Sequence, residues 1–207
     1  SDASWDRWDV DENADVVISI LKELDISSCN IVGWSMGSAV AMSIAKKNKP
    51  LVNKLVLITP FSWLGGAVYS DRVAFKIFVS FVRIRERLFP NLNPKSKFSF
   101  LKKSNSINDE YTEWAWNNLH KSKDDFIYAD GGRFVVPYDA RSWIQEIEVE
   151  TLVITGGKDK LVPEETSNDV VKRLNEVKVK TFPDAGHSVP WTHEEDLLTE
   201  LREFFSL

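Results

Sequence analysis

The sequence has little cysteine, little histidine and no long uninterrupted apolar run. Its 207 residues include one cysteine and three histidines, so an internal disulfide framework is excluded and a reducing compartment is favoured. The longest apolar stretch, residues 73–89, is broken by several charged side chains, which excludes a membrane span there. The opening residues also lack the apolar segment of a secretory signal. We therefore expect a cytoplasmic protein.

The sequence also has no excess of positive charge and no histidines at the spacing of a metal site. The 26 Lys and Arg residues are outnumbered by 31 Asp and Glu residues, which gives a net charge of −5 and no general bias toward nucleic acid or anionic membranes. His187 and His193 have no third ligand at a suitable spacing. The glycine pairs do not follow the pattern of a phosphate-binding loop. No metal or cofactor is therefore expected.

Apolar runs alternate with amphipathic segments at both ends of the chain. Continuous apolar runs are typical of parallel strands covered on both faces, and strands that alternate with helices predict an α/β fold whose mostly parallel sheet is flanked by helices. The last predicted strand alternates in polarity and is expected near the sheet edge. The predicted strands are residues 29–34, 53–60, 149–157 and 176–182, and the predicted helices are residues 11–24, 36–47, 163–174 and 192–205.

For two of these helices the sequence also predicts a cap or a buried face. In the last helix, Thr192 is the expected N-cap, and Glu195 three residues later completes a capping box. The first helix is expected to be amphipathic because its larger apolar residues share one face. That face consists of Val16, Val17, Ile20, Leu21 and Leu24.

The alternation of strands and helices breaks in the middle of the chain. Residues 61–143 contain no convincing parallel strand and instead combine helical patterns with a polar connector. We assign residues 1–60 and 144–207 to the core and residues 61–143 to a helical cap or lid. The apolar helical face at residues 73–89 favours packing on the core, with a lid that lines an acyl pocket as the alternative.

Gly33-Trp34-Ser35-Met36-Gly37 is the clearest motif, because it lies where a predicted strand meets a predicted helix. A serine on such a tight turn lies at the carboxyl end of the sheet, and both glycines are expected because side chains there would collide with the neighbouring strand and helix. The helix N-terminus points at the hydroxyl, so the Met36 N–H is an expected donor to an oxyanion. The bland alternative is an ordinary turn that happens to contain a serine.

A serine hydroxyl is a weak nucleophile until a base takes its proton, and the base needs an orienting acid. His187 is the expected base, because it lies in a loop after the fourth predicted strand. Asp159 follows the third strand and is the expected acid. The chain order Ser35, Asp159, His187 is typical of hydrolases with a nucleophile elbow. The competing candidates in other positions are His120, His193, Asp130 and Asp184.

The stretches 30–45, 149–165 and 179–205 resemble the α/β-hydrolase family. The resemblance implies Ser35 as nucleophile, His187 as general base and acid, and Asp159 as orienting acid, with Met36 and Trp34 in the oxyanion and substrate-binding site. With Ser rather than Asp at its centre, the elbow is similar to carboxylesterases and unlike the epoxide-hydrolase and haloalkane-dehalogenase branches. The inserted segment matches the region that usually forms the lid.

The resemblance breaks down before the elbow strand. Members of this family place several strands there, and one loop, often rich in glycine, supplies the second oxyanion donor. Here only 28 residues precede Cys29, and the nine glycines begin at Gly33. We expect that the strand at residues 30–34 has one unpaired edge, and that the chain is a fragment, one piece of a nicked enzyme, or a short homologue that dimerises across this edge. The partner is then a complementing N-terminal segment or a second copy.

These observations predict a serine hydrolase that cleaves a carboxylic ester through an acyl-enzyme. The substrate expected from the apolar lid is a small molecule with a small to medium acyl or aromatic group. The same triad could act on an amide, thioester or C–C bond. The alternative from another class is a truncated hydrolase scaffold that binds a ligand without catalysis.

Overall fold

A computed structural model describes residues 9–63, 84, 138–162 and 164–207. The expectations for the inserted helix at residues 73–89, apart from Ile84, lie outside this range, and so do His120 and Asp130. Within the described residues, no helix has both the length and the apolar character that crossing a membrane requires.

The described core is a four-stranded parallel sheet in the order β1-β2-β3-β4 with helices on both faces. This confirms the predicted α/β fold, and the element bounds differ from the predicted ones by one or two residues at most ends. The strands are β1 (Cys29–Trp34), β2 (Val52–Ile58), β3 (Thr151–Gly156) and β4 (Val177–Phe182), and the helices are α1 (Val10–Glu23), α2 (Met36–Lys47), α3 (Glu164–Arg173), α4 (Val189–Thr192) and α5 (Glu194–Phe205).

The continuous apolar runs of β2 and β3 are explained by burial on both sides of the sheet. Leu55 and Leu57 point into a cluster with α1, α2 and α3, whereas Val56 and Ile58 point into a second cluster with α5. All four side chains are almost completely buried. Successive side chains of a strand face opposite sides of a sheet, so a strand between two helical layers must be apolar throughout.

The first helix forms as predicted, but its expected core face is wrong. The buried residues of α1 are Val10 and Ala14, whereas most of the expected face, including Ile20 and Leu24, is exposed to solvent. The small side chain of Ala14 packs in the cluster that contains the alanines of α2. Small side chains allow two helices to approach closely, so the contact with α2 selects this face over the larger apolar one.

The capping box predicted for the last helix is also wrong. The chain turns through the short helix α4 and enters α5 with His193 at the N-cap position, and this residue makes no side-chain capping bond. The Thr192 hydroxyl instead bonds the Ser188 carbonyl oxygen at 3.1 Å and lies 2.9 Å from His193 Nδ1. Pro190 in the first turn of α4 suits a helix start, so the helical geometry begins before Thr192.

One edge of β1 is unpaired within the described part of the chain. β1 pairs with β2 alone among the described strands, and Val32 on this strand is 47% exposed. At the opposite edge, β4 carries Lys178 and Lys180, and charged side chains on an edge strand oppose further pairing. The two edges therefore differ in charge, although β4 also has an exposed apolar side chain, that of Val179.

The two ends of the central segment, the predicted insertion at residues 61–143, meet at one point of the core. Trp63 and Asp139 form an isolated antiparallel bridge, and the Ala140 N–H donates to the Ser62 carbonyl oxygen at 2.7 Å. The Arg141 guanidinium lies 4.7 Å from the Trp63 ring centroid. The chain therefore leaves and re-enters the core at adjacent positions, while the boundaries assigned to the insertion stay a prediction.

Candidate active site

Ser35 lies on a sharp turn between β1 and α2, with φ 54° and ψ −121°. Positive φ is unfavourable for a residue with a side chain, so the turn is strained at Ser35. Gly33 makes the turn sterically feasible, because a Cβ atom there would lie 2.3 Å from the Gly37 carbonyl oxygen. The same argument is wrong for Gly37, where a Cβ atom would meet none of the described residues within 4 Å.

The Ser35 turn is held to the sheet and to its own helix. The Ser35 N–H donates to the Ile58 carbonyl oxygen of β2 at 2.9 Å. Ser38, which is fully buried, donates its hydroxyl to the Ser35 carbonyl oxygen at 2.5 Å. Met36 is the first residue of α2, and the first N–H groups of a helix have no partner within it. This end of the helix favours negative charge close to Ser35.

Three side chains from three loops meet at the carboxyl end of the sheet. His187 Nε2 lies 2.8 Å from Ser35 Oγ, and His187 Nδ1 lies 2.8 Å from Asp159 Oδ2. If the carboxylate is ionised it accepts the Nδ1 proton, so Nε2 is left to accept the proton of the serine hydroxyl. The geometry is that of a hydroxyl, imidazole and carboxylate relay.

The carboxylate of Asp159 is fixed by its own loop. Asp159 Oδ1 accepts the N–H of Leu161 at 2.8 Å and the N–H of Val162 at 3.0 Å, which leaves Oδ2 directed at His187. The Asp159 side chain is only 6% exposed and that of His187 is 8% exposed. Little water therefore screens the interaction between carboxylate and imidazole.

Two glycines that the sequence analysis did not assign to the site bring its loops together. A Cβ atom on Gly156 would lie 2.3 Å from the Gly186 carbonyl oxygen, and one on Gly157 would lie 2.7 Å from the Pro183 carbonyl oxygen. The Gly157 N–H also donates to the Phe182 carbonyl oxygen at 2.9 Å. The loop that carries Asp159 can therefore pack directly on the loop that carries His187. The sequence signal was the glycine pair at the end of a predicted strand.

Trp34 lies against the imidazole, and Trp191 packs on Trp34. The Trp34 ring centroid is 5.4 Å from that of His187 and 4.4 Å from that of Trp191, in an edge-to-face arrangement with the latter. The Trp34 indole N–H donates to the His187 carbonyl oxygen at 2.9 Å. Trp34 was expected at the substrate-binding site, and the structure places it beside the candidate base.

A second histidine–aspartate pair lies at the base of the same loop. His193 Nε2 lies 3.2 Å from Asp184 Oδ1, and the hydrogen bond from His193 lowers the pKa of the Asp184 carboxyl. The Asp184 side chain is 72% exposed, in contrast to that of Asp159. The neighbouring Thr192 hydroxyl is engaged with the Ser188 carbonyl oxygen and lies inside the α4 segment. This pair therefore joins α5 to the loop and does not reproduce the buried relay.

Two further buried hydroxyls have no hydrogen-bond partner among the described residues, those of Thr59 and Tyr138. Thr59 directly follows β2 and has φ 47°, so the backbone is strained there too. Tyr138 follows the undescribed central segment, and burial raises the pKa of its hydroxyl, with smaller contributions from Asp11 and Asp139. Its phenol is therefore held neutral.

The structure brings Ser35, Asp159 and His187 together, and it places Met36 and Trp34 next to them. Of the competing candidates, Asp184 and His193 pair with each other. Across residues 9–63, 138–162 and 164–207, no cluster of three His, Cys, Asp or Glu side chains has the arrangement of a metal site. The 2.8 Å separation of His187 Nε2 and Ser35 Oγ allows proton transfer between the serine and the histidine.

Comparison with known proteins identifies the family. Residues 1–194 match the profile described as the alpha/beta hydrolase fold. The chain belongs to the α/β-hydrolase family. The esterase from Exiguobacterium antarcticum has the same fold, with a TM-score of 0.78 and 16% identity over 96% of this chain and 74% of the esterase.

Two of the curated relatives are named as hydrolases. The 2-hydroxy-6-oxo-6-phenylhexa-2,4-dienoate hydrolase of Burkholderia cepacia is 25% identical over 88% of this chain and 64% of its own length. The 2-hydroxy-6-oxononadienedioate/2-hydroxy-6-oxononatrienedioate hydrolase of Comamonas testosteroni is also 25% identical, over the same shares of the two chains. This α/β-hydrolase chain therefore spans slightly less than two thirds of the length of these relatives.

Proposed function

We propose that the protein is a serine hydrolase that cleaves a carboxylic ester through an acyl-enzyme on Ser35. The single observation that carries this proposal is the buried relay in which His187 lies 2.8 Å from both Ser35 Oγ and Asp159 Oδ2. A hydroxyl is a useful nucleophile only when a base can accept its proton within hydrogen-bond reach. The relay supplies that base and fixes its orientation.

In the first half of the reaction, His187 Nε2 takes the proton of Ser35 Oγ as the oxygen attacks the ester carbonyl carbon. The carbonyl oxygen becomes negatively charged, and in this proposal the N–H of Met36, the first residue of α2, donates to it. Asp159 stabilises the imidazolium and keeps its orientation. The intermediate then collapses, and the leaving alcohol takes the proton from His187.

In the second half, water replaces the alcohol. His187 Nε2 takes a proton from the water as its oxygen attacks the acyl carbon, and the same proton returns to Ser35 Oγ when the carboxylic acid leaves. Trp34 lies beside the imidazole and packs on Trp191, and this aromatic surface favours a small to medium apolar acyl group or an aromatic one. We propose a small-molecule ester of that kind as the substrate.

The proposal also includes a further segment or a second copy that completes the sheet, because the chain spans only 64% of the length of the relatives named above. Among the described strands β1 pairs on one side alone, and this together with the exposed Val32 favours a strand from a complementing segment or from a second copy at this edge. Such a strand would pair with β1, which leads directly into the turn at Ser35.

The test is covalent labelling with a fluorophosphonate probe, followed by mass spectrometry to locate the modified residue. We expect a label on Ser35 and its loss in Ser35→Ala and His187→Gln. His193→Gln is the matched control, because it removes the second histidine–aspartate pair and leaves the relay intact. Absence of label on Ser35 in a folded chain would refute the proposal and favour a scaffold that only binds its ligand.

A second candidate reaction is hydrolysis of a C–C bond by the same three residues. It is favoured by the names of the Burkholderia and Comamonas relatives, which are hydrolases of 2-hydroxy-6-oxo dienoates. The leaving group is then a carbon atom that must receive a proton. Parallel assays with p-nitrophenyl butyrate and with 2-hydroxy-6-oxo-6-phenylhexa-2,4-dienoate separate the two candidates, because a higher kcat/KM for the dienoate would replace ester hydrolysis by C–C hydrolysis.

A further inference from the structure

Trp34 makes a polar contact that its place before Ser35 does not suggest. Its indole Nε1–H donates to the backbone carbonyl oxygen of His187 at 2.9 Å, although 153 positions of sequence separate the two residues. The contact therefore links the strand directly before the nucleophile to the loop that carries the base. The indole N–H is a donor only, so the direction of the bond is unambiguous.

The two ends of this hydrogen bond differ in how firmly the fold holds them. Trp34 is the last residue of β1 and is in register with Ile58 of β2. His187 lies in the loop between β4 and α4, where it belongs to no helix or strand. A donor anchored on the sheet therefore restrains an acceptor on a loop, and loops are the more mobile part of a fold.

The restraint that Asp159 places on His187 acts on its side chain. Asp159 Oδ2 lies 2.8 Å from Nδ1 and fixes the direction of the ring, whereas the bond from Trp34 acts on the backbone of His187. The Trp34 ring is tilted against the imidazole and meets Trp191 at its edge. The indole thus contacts the imidazole with its ring and the His187 backbone with its N–H.

We propose that Trp34 is a positioning residue, whose indole N–H keeps the His187 backbone where the imidazole can reach Ser35 Oγ. The inference rests on the proposed function, since it assigns a role in the same relay. Phenylalanine at position 34 retains an aromatic ring but not the donor. The His187 carbonyl oxygen then loses this partner, and the short distance from Nε2 to Ser35 Oγ is no longer enforced from the backbone side.

The test compares Trp34→Phe with a chain that carries 3-benzothienylalanine at position 34, in which sulfur replaces the N–H and the ring shape is kept. Turnover of p-nitrophenyl butyrate is measured, and kcat and KM are determined separately. We expect kcat to fall about tenfold in both variants, which corresponds to about 1.4 kcal/mol, while KM changes less than twofold. The benzothienyl chain keeps the test decisive when Trp34→Phe folds poorly.

Trp143→Phe is the matched control, because Trp143 packs against the cluster beside α1, α2 and α3, on the other face of the sheet from Trp34. It should leave kcat unchanged. A benzothienyl variant with the original kcat would overturn the positioning role. A raised KM at constant kcat would overturn it as well, because the N–H would then act on substrate binding and not on the imidazole. Failure of the unmodified chain to react with fluorophosphonate is a different result, since it refutes the proposed function itself.

Discussion

The backbone strain at Ser35 leads to a prediction about stability that runs against the usual order of glycine and alanine. Ser35 has φ 54° and ψ −121°, and its side chain makes no capping bond to α2. A side chain held in such a region costs about 1–3 kcal/mol. Glycine lacks the Cβ atom responsible, so Ser35→Gly should release the strain, and Ser35→Ala should retain it.

The two variants form a matched pair, because each loses the hydrogen bond between Ser35 Oγ and His187 Nε2. Replacing alanine by glycine normally costs about 0.4–1 kcal/mol through the freedom of the unfolded chain. Subtracting this cost from the strain leaves Ser35→Gly more stable than Ser35→Ala by about 1 kcal/mol. For a chain of this size the difference is about 2–4 °C in Tm.

Urea denaturation followed by circular dichroism measures this difference, and neither variant should react with a fluorophosphonate. Ser19 provides the control position, because it is an exposed residue inside α1. There glycine should be less stable than alanine by about 1 kcal/mol. The reasoning would be refuted if alanine were also the more stable residue at position 35, since the turn would then carry no strain from the Cβ atom.

Three further predictions follow from contacts in the core and the site. Gly33→Ala should destabilise the chain by more than about 3 kcal/mol, because its Cβ atom would overlap the Gly37 carbonyl oxygen. Gly37→Ala in α2 should leave the stability unchanged or raise it by up to about 1 kcal/mol. Urea denaturation measures both variants, and equal effects would contradict the geometry of the turn. Tyr138→Phe should raise the free energy of unfolding by about 1 kcal/mol, since it removes a buried hydroxyl without a partner among the described residues. Because the pKa of Tyr138 is raised in the folded chain, its phenol ionises at a lower pH in the unfolded chain. The free energy of unfolding of the unmodified protein should therefore fall above about pH 10, and that of Tyr138→Phe should fall less. If the free energy of unfolding fell equally with pH in both proteins, the phenol would not be buried. Asp159→Asn should lower kcat for p-nitrophenyl butyrate by roughly 10³- to 10⁴-fold while the fold is retained, and a loss below tenfold would remove Asp159 from the relay.

The fold class was predictable because strands that are buried on both faces of a sheet have continuous apolar sequences. The strands β2 and β3 must be apolar at every position when helices cover both sides of the sheet, and this pattern was sufficient to locate them. Ser35, Asp159 and His187 were each placed by the same rule, since each follows a predicted parallel strand and the carboxyl ends of parallel strands meet at one edge.

The contacts between elements could not be predicted in the same way. The apolar residues of α1 indicated one face of the helix, but packing against the alanines of α2 selected the face with Ala14. Thr192 had the sequence pattern of an N-cap, yet the chain was already helical before it. Local sequence patterns indicate which conformations are favourable, and packing against neighbouring elements determines which of these conformations is adopted.

The sequence by itself determined the parallel sheet, the turn at Ser35 and the identity of the residues at its carboxyl edge, because these depend on local polarity and on the order of the strands. Only the tertiary structure decided how close those residues come. The contact of Gly156 with Gly186 and the bond from the Trp34 indole to the His187 carbonyl oxygen join loops that are distant in the chain. Such contacts arise from the way the loops pack in three dimensions, and no periodicity in the sequence encodes them.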